Sequence, residues 1–203
     1  MRKYAVVLAV MMVFCVCVSV NAADKWVSKG VGTDDGKAEI KGNNITITAA
    51  GEGDIRGGED EFHFVYQKAK GDVAITALLE SLEDIDMLTR AGVMIRENLE
   101  PGSKFVYVFL LPSGRPICLF RAETDDECEV AKGDAAELPA HLKLVRKGSS
   151  FVPSTSEDGK SWDEMPDAEI DVDMEKEVFV GVAASSNVEG EFTEAVFSNV
   201  EVK

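Results

Sequence analysis

Histidine and cysteine are scarce in this chain, and their scarcity removes most catalytic classes at once. The 203 residues include 2 histidines, His63 and His141, and 4 cysteines. They form no Cys/His cluster with zinc spacing and no credible Ser/His/Asp or Cys/His set for nucleophilic catalysis. Positive charge is also thin, with 21 Lys and Arg against 37 Asp and Glu, a net charge of −16. Phosphate backbones and anionic lipid surfaces repel such a chain, which excludes nucleic acid as a partner. There is no glycine-rich fingerprint ahead of a helix, no P-loop, no internal repeat and no linker-like segment.

The charge-free apolar run Tyr4–Val20 follows the positive start Met1-Arg2-Lys3 and ends at the small residues around Val20-Asn21-Ala22. That arrangement reads as a secretory signal peptide over residues 1–22, with one domain over 23–203 and no membrane attachment after cleavage. The expected address is secreted or periplasmic. Arg2 and Lys3 leave with the leader, so the mature chain is more acidic still. Of the cysteines only Cys118 and Cys128 would remain. In an oxidising compartment they are candidates for a disulfide across a hairpin, provided their Cα atoms come within about 7 Å.

What the chain does have is alternation. Glu61–Gln67 places Phe62, Phe64 and Tyr66 on one face and Glu61, His63, Val65 and Gln67 on the other, the period of a strand. The same period appears over Ile45–Ala50, Val73–Leu82, Arg90–Arg96, Ile117–Glu123, Ile170–Met174 and Thr193–Val202. Phe105–Leu111 and Val178–Ser185 are apolar on both faces, as strands covered on both sides would be. Gly42-Asn43, Gly71-Asp72, Lys147-Gly148 and Asp158-Gly159 supply turns between them. Thr124–Glu129 reads as an acidic loop. About a dozen short strands and no convincing helix predict an all-β, two-sheet antiparallel sandwich.

Six stretches, in order, carry a family resemblance: GDIRGGEDEFHFVYQKAKGD (Gly53–Asp72), AGVMIREN (Ala91–Asn98), HLKLVRKG (His141–Gly148), SEDGKSW (Ser156–Trp162), VFVGVAASS (Val178–Ser186) and FSNVEV (Phe197–Val202). Together they resemble the DUF1349 family, a group of concanavalin A-like lectin/glucanase domains, across the whole mature chain. The resemblance implies a jelly-roll sandwich of two curved sheets whose concave face in lectin-like relatives meets carbohydrate.

On that fold, Arg96 and Arg121 stand on strands among apolar neighbours and need partners, for which Asp60, Glu97 and Asp54 are available. One reading makes them a structural ion pair. The other places Arg96, Arg121, His63 and Gln67 together on the concave face as donors to sugar hydroxyls. Asp54, Glu59 and Asp60 share a glycine-bearing loop and could offer hard oxygen ligands to Ca²⁺. SEDGKSW reads as a turn in which Ser156 and Asp158 hydrogen-bond locally and Trp162 packs behind. Glu169, Asp171 and Asp173 approximate the acidic strand of jelly-roll glucanases. A retaining hydrolase needs two carboxyl groups about 5–5.5 Å apart. The competing reading has Ile170, Val172 and Met174 pointing inward and the acids facing water. The expectation is therefore a secreted, non-catalytic carbohydrate-binding module, with a glycoside hydrolase and a structural or protein-interaction module as alternatives.

Overall fold

The computed structural model describes residues 26–51, 55, 60–165 and 170–203. In chain order the strands are β1 (Val27–Val31), β2 (Gly36–Lys41), β3 (Asn44–Ala49), β4 (Phe62–Lys70), β5 (Val73–Leu82), β6 (Arg90–Arg96), β7 (Phe105–Leu110) and β8 (Pro116–Arg121). They continue as β9 (Glu129–Lys132), β10 (Ala140–Lys147), β11 (Ser150–Ser156), β12 (Asp163–Glu164), β13 (Ile170–Asp171), β14 (Glu177–Ser185) and β15 (Thr193–Val202). A seven-stranded sheet has the order β1-β4-β14-β6-β7-β8-β9. An eight-stranded sheet has the order β12-β11-β10-β5-β15-β3-β2, with β13 added onto β11. All pairings are antiparallel. The all-β two-sheet expectation holds.

Turn chemistry sets the hairpins. Gly42, Gly71, Gly148 and Gly159 all have positive φ, which glycine adopts without a Cβ clash. They sit where the sequence signals β2–β3, β4–β5, β10–β11 and β11–β12 turns. Alternation then sets which side chains meet. Ile45, Ile47, Ile75, Leu79, Leu142, Leu144 and Phe197 of the eight-stranded sheet pack against Val65, Val93, Ile95, Val106, Val108, Val180 and Val182 of the other. All are essentially solvent-free. Burying each such side chain is worth about 1.5–3 kcal/mol relative to exposure, so this layer dominates folding.

The opposite, outer face of the seven-stranded sheet carries a second apolar layer. Phe62, Phe64 and Tyr66 of β4, Met94 of β6, Phe105, Tyr107 and Phe109 of β7 and Leu119 of β8 lie there, with Ile55, Leu99, Leu111 and Cys128 packed on them. That is why β7 is apolar on both faces: each side of it is covered.

Three local expectations change. β1 and β9 were not anticipated, and Glu129 belongs to β9 instead of closing an acidic loop. Both are edge strands, largely exposed, so no buried face imposes a period on them. The strand expected over Ile170–Met174 is confined to Ile170–Asp171, after which Arg146 takes the carbonyls of Met174 and Glu175. The Cys118–Cys128 disulfide is also corrected, because the two cysteines are not bonded to each other, and Cys128 Sγ instead meets the Ile55 carbonyl oxygen at 3.3 Å. Cys118 points into the layer between the sheets and Cys128 packs on the outer layer, so the sheet itself separates them.

Candidate functional site

Arg96 ends β6 and Arg121 ends β8, and by alternation both project from the outer face. Neither has any solvent-exposed side-chain surface, nor has Asp60 between them. Arg121 grips Asp60 with two prongs, Nη2 to Oδ1 at 2.7 Å and Nη1 to Oδ2 at 3.0 Å. Arg96 Nη2 reaches Oδ2 at 3.3 Å. Further donors go to loop carbonyls, and Arg96 Nη1 points to Met94 Sδ at 3.9 Å. Arg96 bonds Asn98 O at 2.6 Å and Glu100 O at 2.7 Å, and Arg121 bonds Ser103 O and Asp126 O, each at 3.0 Å. Phe62 lies 5.1 Å from the Arg96 guanidinium and Phe105 lies 5.0 Å from that of Arg121.

Two cations thus share one carboxylate away from water. Burial pushes the Arg96 guanidinium down to about 10, with Asp60 opposing the shift. Burial also acts against Arg121, but its bonds and charge interaction with Asp60 and its contact with Cys128 hold it above the ordinary value. The arrangement ties the β6–β7 hairpin loop and the segment after β8 down onto the outer aromatic layer. Of the carboxylates available by sequence, the structure selects Asp60. Glu97 instead accepts the Glu175 backbone N–H at 3.0 Å.

The four polar residues expected to converge on one face do not. Arg96 and Arg121 are on the outer face, whereas His63 and Gln67 project from the other side of β4. His63 is buried, with Nε2 2.8 Å from Ser28 Oγ and Nδ1 without a hydrogen-bond partner among the described residues. Gly36 runs against the ring, where a Cβ would fall 2.7 Å from Nδ1. Burial lowers the His63 pKa below its ordinary 6.5. The folded state therefore holds His63 neutral at pH values where the unfolded chain is protonated, so stability falls as pH drops below about 6.5. Between about pH 7 and about pH 5, urea denaturation of His63→Gln is expected to show a shallower loss of stability than the parent protein. Equal slopes would contradict this.

Gln67 lines an open groove of about 340 Å³ with Trp26, Asn43, Glu201, Val202 and Lys203. The sequence marks neither Trp26 nor Asn43 as a site residue: Asn43 reads only as part of the Gly42-Asn43 turn, and Trp26 stands in no periodic pattern.

Of the proposed metal ligands, Asp54 and Glu59 lie outside the described residues, and both oxygens of Asp60 are taken by the arginines. No group of three or more His, Cys, Asp or Glu among the described residues is placed to hold a metal ion. Of the acidic trio, Glu169 is outside the described residues, and Asp171 and Asp173 are exposed. Ile170, Val172 and Met174 are buried in the layer between the sheets, which is the alternating arrangement with acids to solvent. In the Ser156–Trp162 turn, Asp158 Oδ1 accepts from the N–H groups of Ser161 and Lys160, each at 2.8 Å, and these bonds pull its pKa down to about 2. Trp162 lies under Lys143, whose Nζ is 4.1 Å from the ring centre, with His141 edge-on at 6.3 Å.

Set beside solved structures, this arrangement has many counterparts. A functionally unknown protein from Saccharomyces cerevisiae is 14% identical with a TM-score of 0.68, over 89% of this chain and 97% of that one. The carbohydrate binding module CBM66 from Bacillus subtilis is 11% identical with a TM-score of 0.58, over 88% of this chain and 95% of that one. Lectins and lectin-like domains match as well. The fold is a lectin-like β-sandwich. The GH43 protein BlXynB from Bacillus licheniformis is 14% identical with a TM-score of 0.59 over 78% of this chain, which spans only 32% of that one. No protein-family model and no curated protein matches the sequence.

Proposed function

We propose that the chain is a secreted, non-catalytic carbohydrate-binding module of the DUF1349 type. The observation that carries this reading is end-to-end coverage. The chain and the Bacillus subtilis carbohydrate binding module superpose over 88% and 95% of their lengths, whereas the chain spans 32% of the GH43 protein. The alternation of buried Ile170, Val172 and Met174 with Asp171 and Asp173, the ordinary pattern of a half-buried segment, supports the non-catalytic part. The positive start and apolar run at residues 1–20 support export.

The test is binding of the protein to xylan, arabinan, galactan, β-glucan and fructan, run once with calcium and once with a chelator, with reducing ends measured in parallel. Saturable binding to one or more of these without release of reducing ends is the expected result. Binding lost in chelator would bring a Ca²⁺ site, with Asp54 and Glu59 as its first candidates. Release of reducing ends would favour a hydrolase. Retention of none of the polysaccharides under either condition would overturn the carbohydrate reading.

A further inference from the structure

We propose that the groove lined by Trp26, Asn43, Gln67 and the end of β15 is a subsite for one neutral sugar residue of a glycan. The proposal rests on the carbohydrate-binding reading above and assigns it a place. The groove lies at an opening between the two sheets. Trp26 precedes β1, Gln67 belongs to β4, Asn43 sits in the β2–β3 turn, and Glu201, Val202 and Lys203 close the other side.

Three features point to sugar chemistry. Trp26 is partly buried and packs against the layer between the sheets, which fixes the ring while part of it remains open to the groove. A fixed aromatic surface with a polar handle suits a ligand that is apolar on one face and hydroxylated at its edge. The side-chain amides of Asn43 and Gln67 make no hydrogen bond among the described residues, and the Asn43 backbone oxygen already holds Val200 N at 2.9 Å. Each amide presents both donor and acceptor, the pairing that adjacent sugar hydroxyls require. Finally, Lys203 Nζ is 2.6 Å from Glu201 Oε2, so the charges at the rim cancel and favour a neutral ligand over an anion or a cation. A volume of about 340 Å³ is at the small end of ligand sites, roughly 300–1,000 Å³, which fits one residue with the glycan continuing into solvent.

The chain has only two tryptophans, Trp26 and Trp162, so an indole N–H spectrum of the ¹⁵N-labelled protein contains one reporter and one internal control. Trp162 immediately precedes β12, four strands from β15 in the eight-stranded sheet. Trp26→Phe assigns the two signals. The probes are xylo-, arabino-, galacto-, gluco- and fructo-oligosaccharides cut from the polysaccharides above, with affinity electrophoresis on the same set. The expected result is a saturable shift of the Trp26 signal with Trp162 unmoved, and about tenfold weaker binding by Gln67→Ala without loss of fold. Electrophoretic binding with Trp26 unmoved, or with Trp162 moving instead, would overturn the subsite and leave the carbohydrate reading standing. Absence of binding to every oligosaccharide would bring down both.

Discussion

Asp60→Ala is expected to lower unfolding free energy by about 3–5 kcal/mol, the usual cost of breaking a buried ion pair by removing one partner. The loss comes from what remains rather than from the missing contact. Arg96 and Arg121 would keep two guanidinium groups in a place with no solvent-exposed surface, answered by loop carbonyl oxygens and the sulfurs of Met94 and Cys128 but no longer by the Asp60 carboxylate. Against a typical total stability of about 5–15 kcal/mol, such a loss leaves a marginal protein. Urea denaturation followed by near-ultraviolet dichroism measures it, because the Phe62 and Phe105 rings beside the arginines belong to the same layer. Asp60→Asn keeps the shape and removes the charge, so it should fall most of the way toward alanine. A triple replacement of Asp60, Arg96 and Arg121 by apolar residues of similar volume should recover part of the loss, since burying those charges was itself costly. Asp60→Ala within about 1 kcal/mol of the parent would show that water reaches the arginines and that the cluster does not fasten the loops.

Gly181→Ala is expected to cost on the order of 3 kcal/mol or more, for a steric reason. Gly181 lies in β14 opposite Tyr66 of β4 and Met94 of β6. A Cβ there would fall 2.0 Å from the Val65 carbonyl oxygen and 2.7 Å from Tyr66 Cα. Both are backbone atoms of a paired strand, so they cannot yield without opening the β4–β14 ladder and disturbing the apolar layers on its two sides. Glycine inside a strand marks such close backbone approach. Gly71→Ala is the control. Gly71 has φ of +80° and nothing within 4 Å of its missing Cβ, so alanine there carries only the left-handed backbone cost of about 1–2 kcal/mol. If the two alanine variants lose equal stability, the close approach at Gly181 is not what selects glycine.

Where one face of a strand is buried, its period was visible in the sequence, and where a turn needs positive φ, glycine announced it. That covers the paired core of both sheets and the hairpins at Gly42, Gly71, Gly148 and Gly159. The buried arginines were recognisable too, because a long cation among apolar neighbours on a strand must find a partner. Which carboxylate it would be was not legible. Asp60, Glu97 and Asp54 are equal candidates along the chain, and only the pairing of strands into one sheet brings Asp60, just ahead of β4, between the guanidinium groups at the ends of β6 and β8. The fate of His63 and Gln67 was decided in the same way. Alternation shows that they share a face of β4, but not that Arg96 and Arg121 emerge from the other side of the sheet, since relative facing between strands depends on register and twist. The edge strands β1 and β9 escaped notice because exposed strands carry no periodic burial. The groove joins Trp26 ahead of β1, Asn43 in the β2–β3 turn and Gln67 of β4 to the end of β15. The sequence by itself thus determined a β-sandwich and its buried layers, which follow from local periodicity. The tertiary structure alone decided which polar groups are consumed inside the protein and which remain free to meet a ligand, because that depends on contacts between residues far apart in the chain.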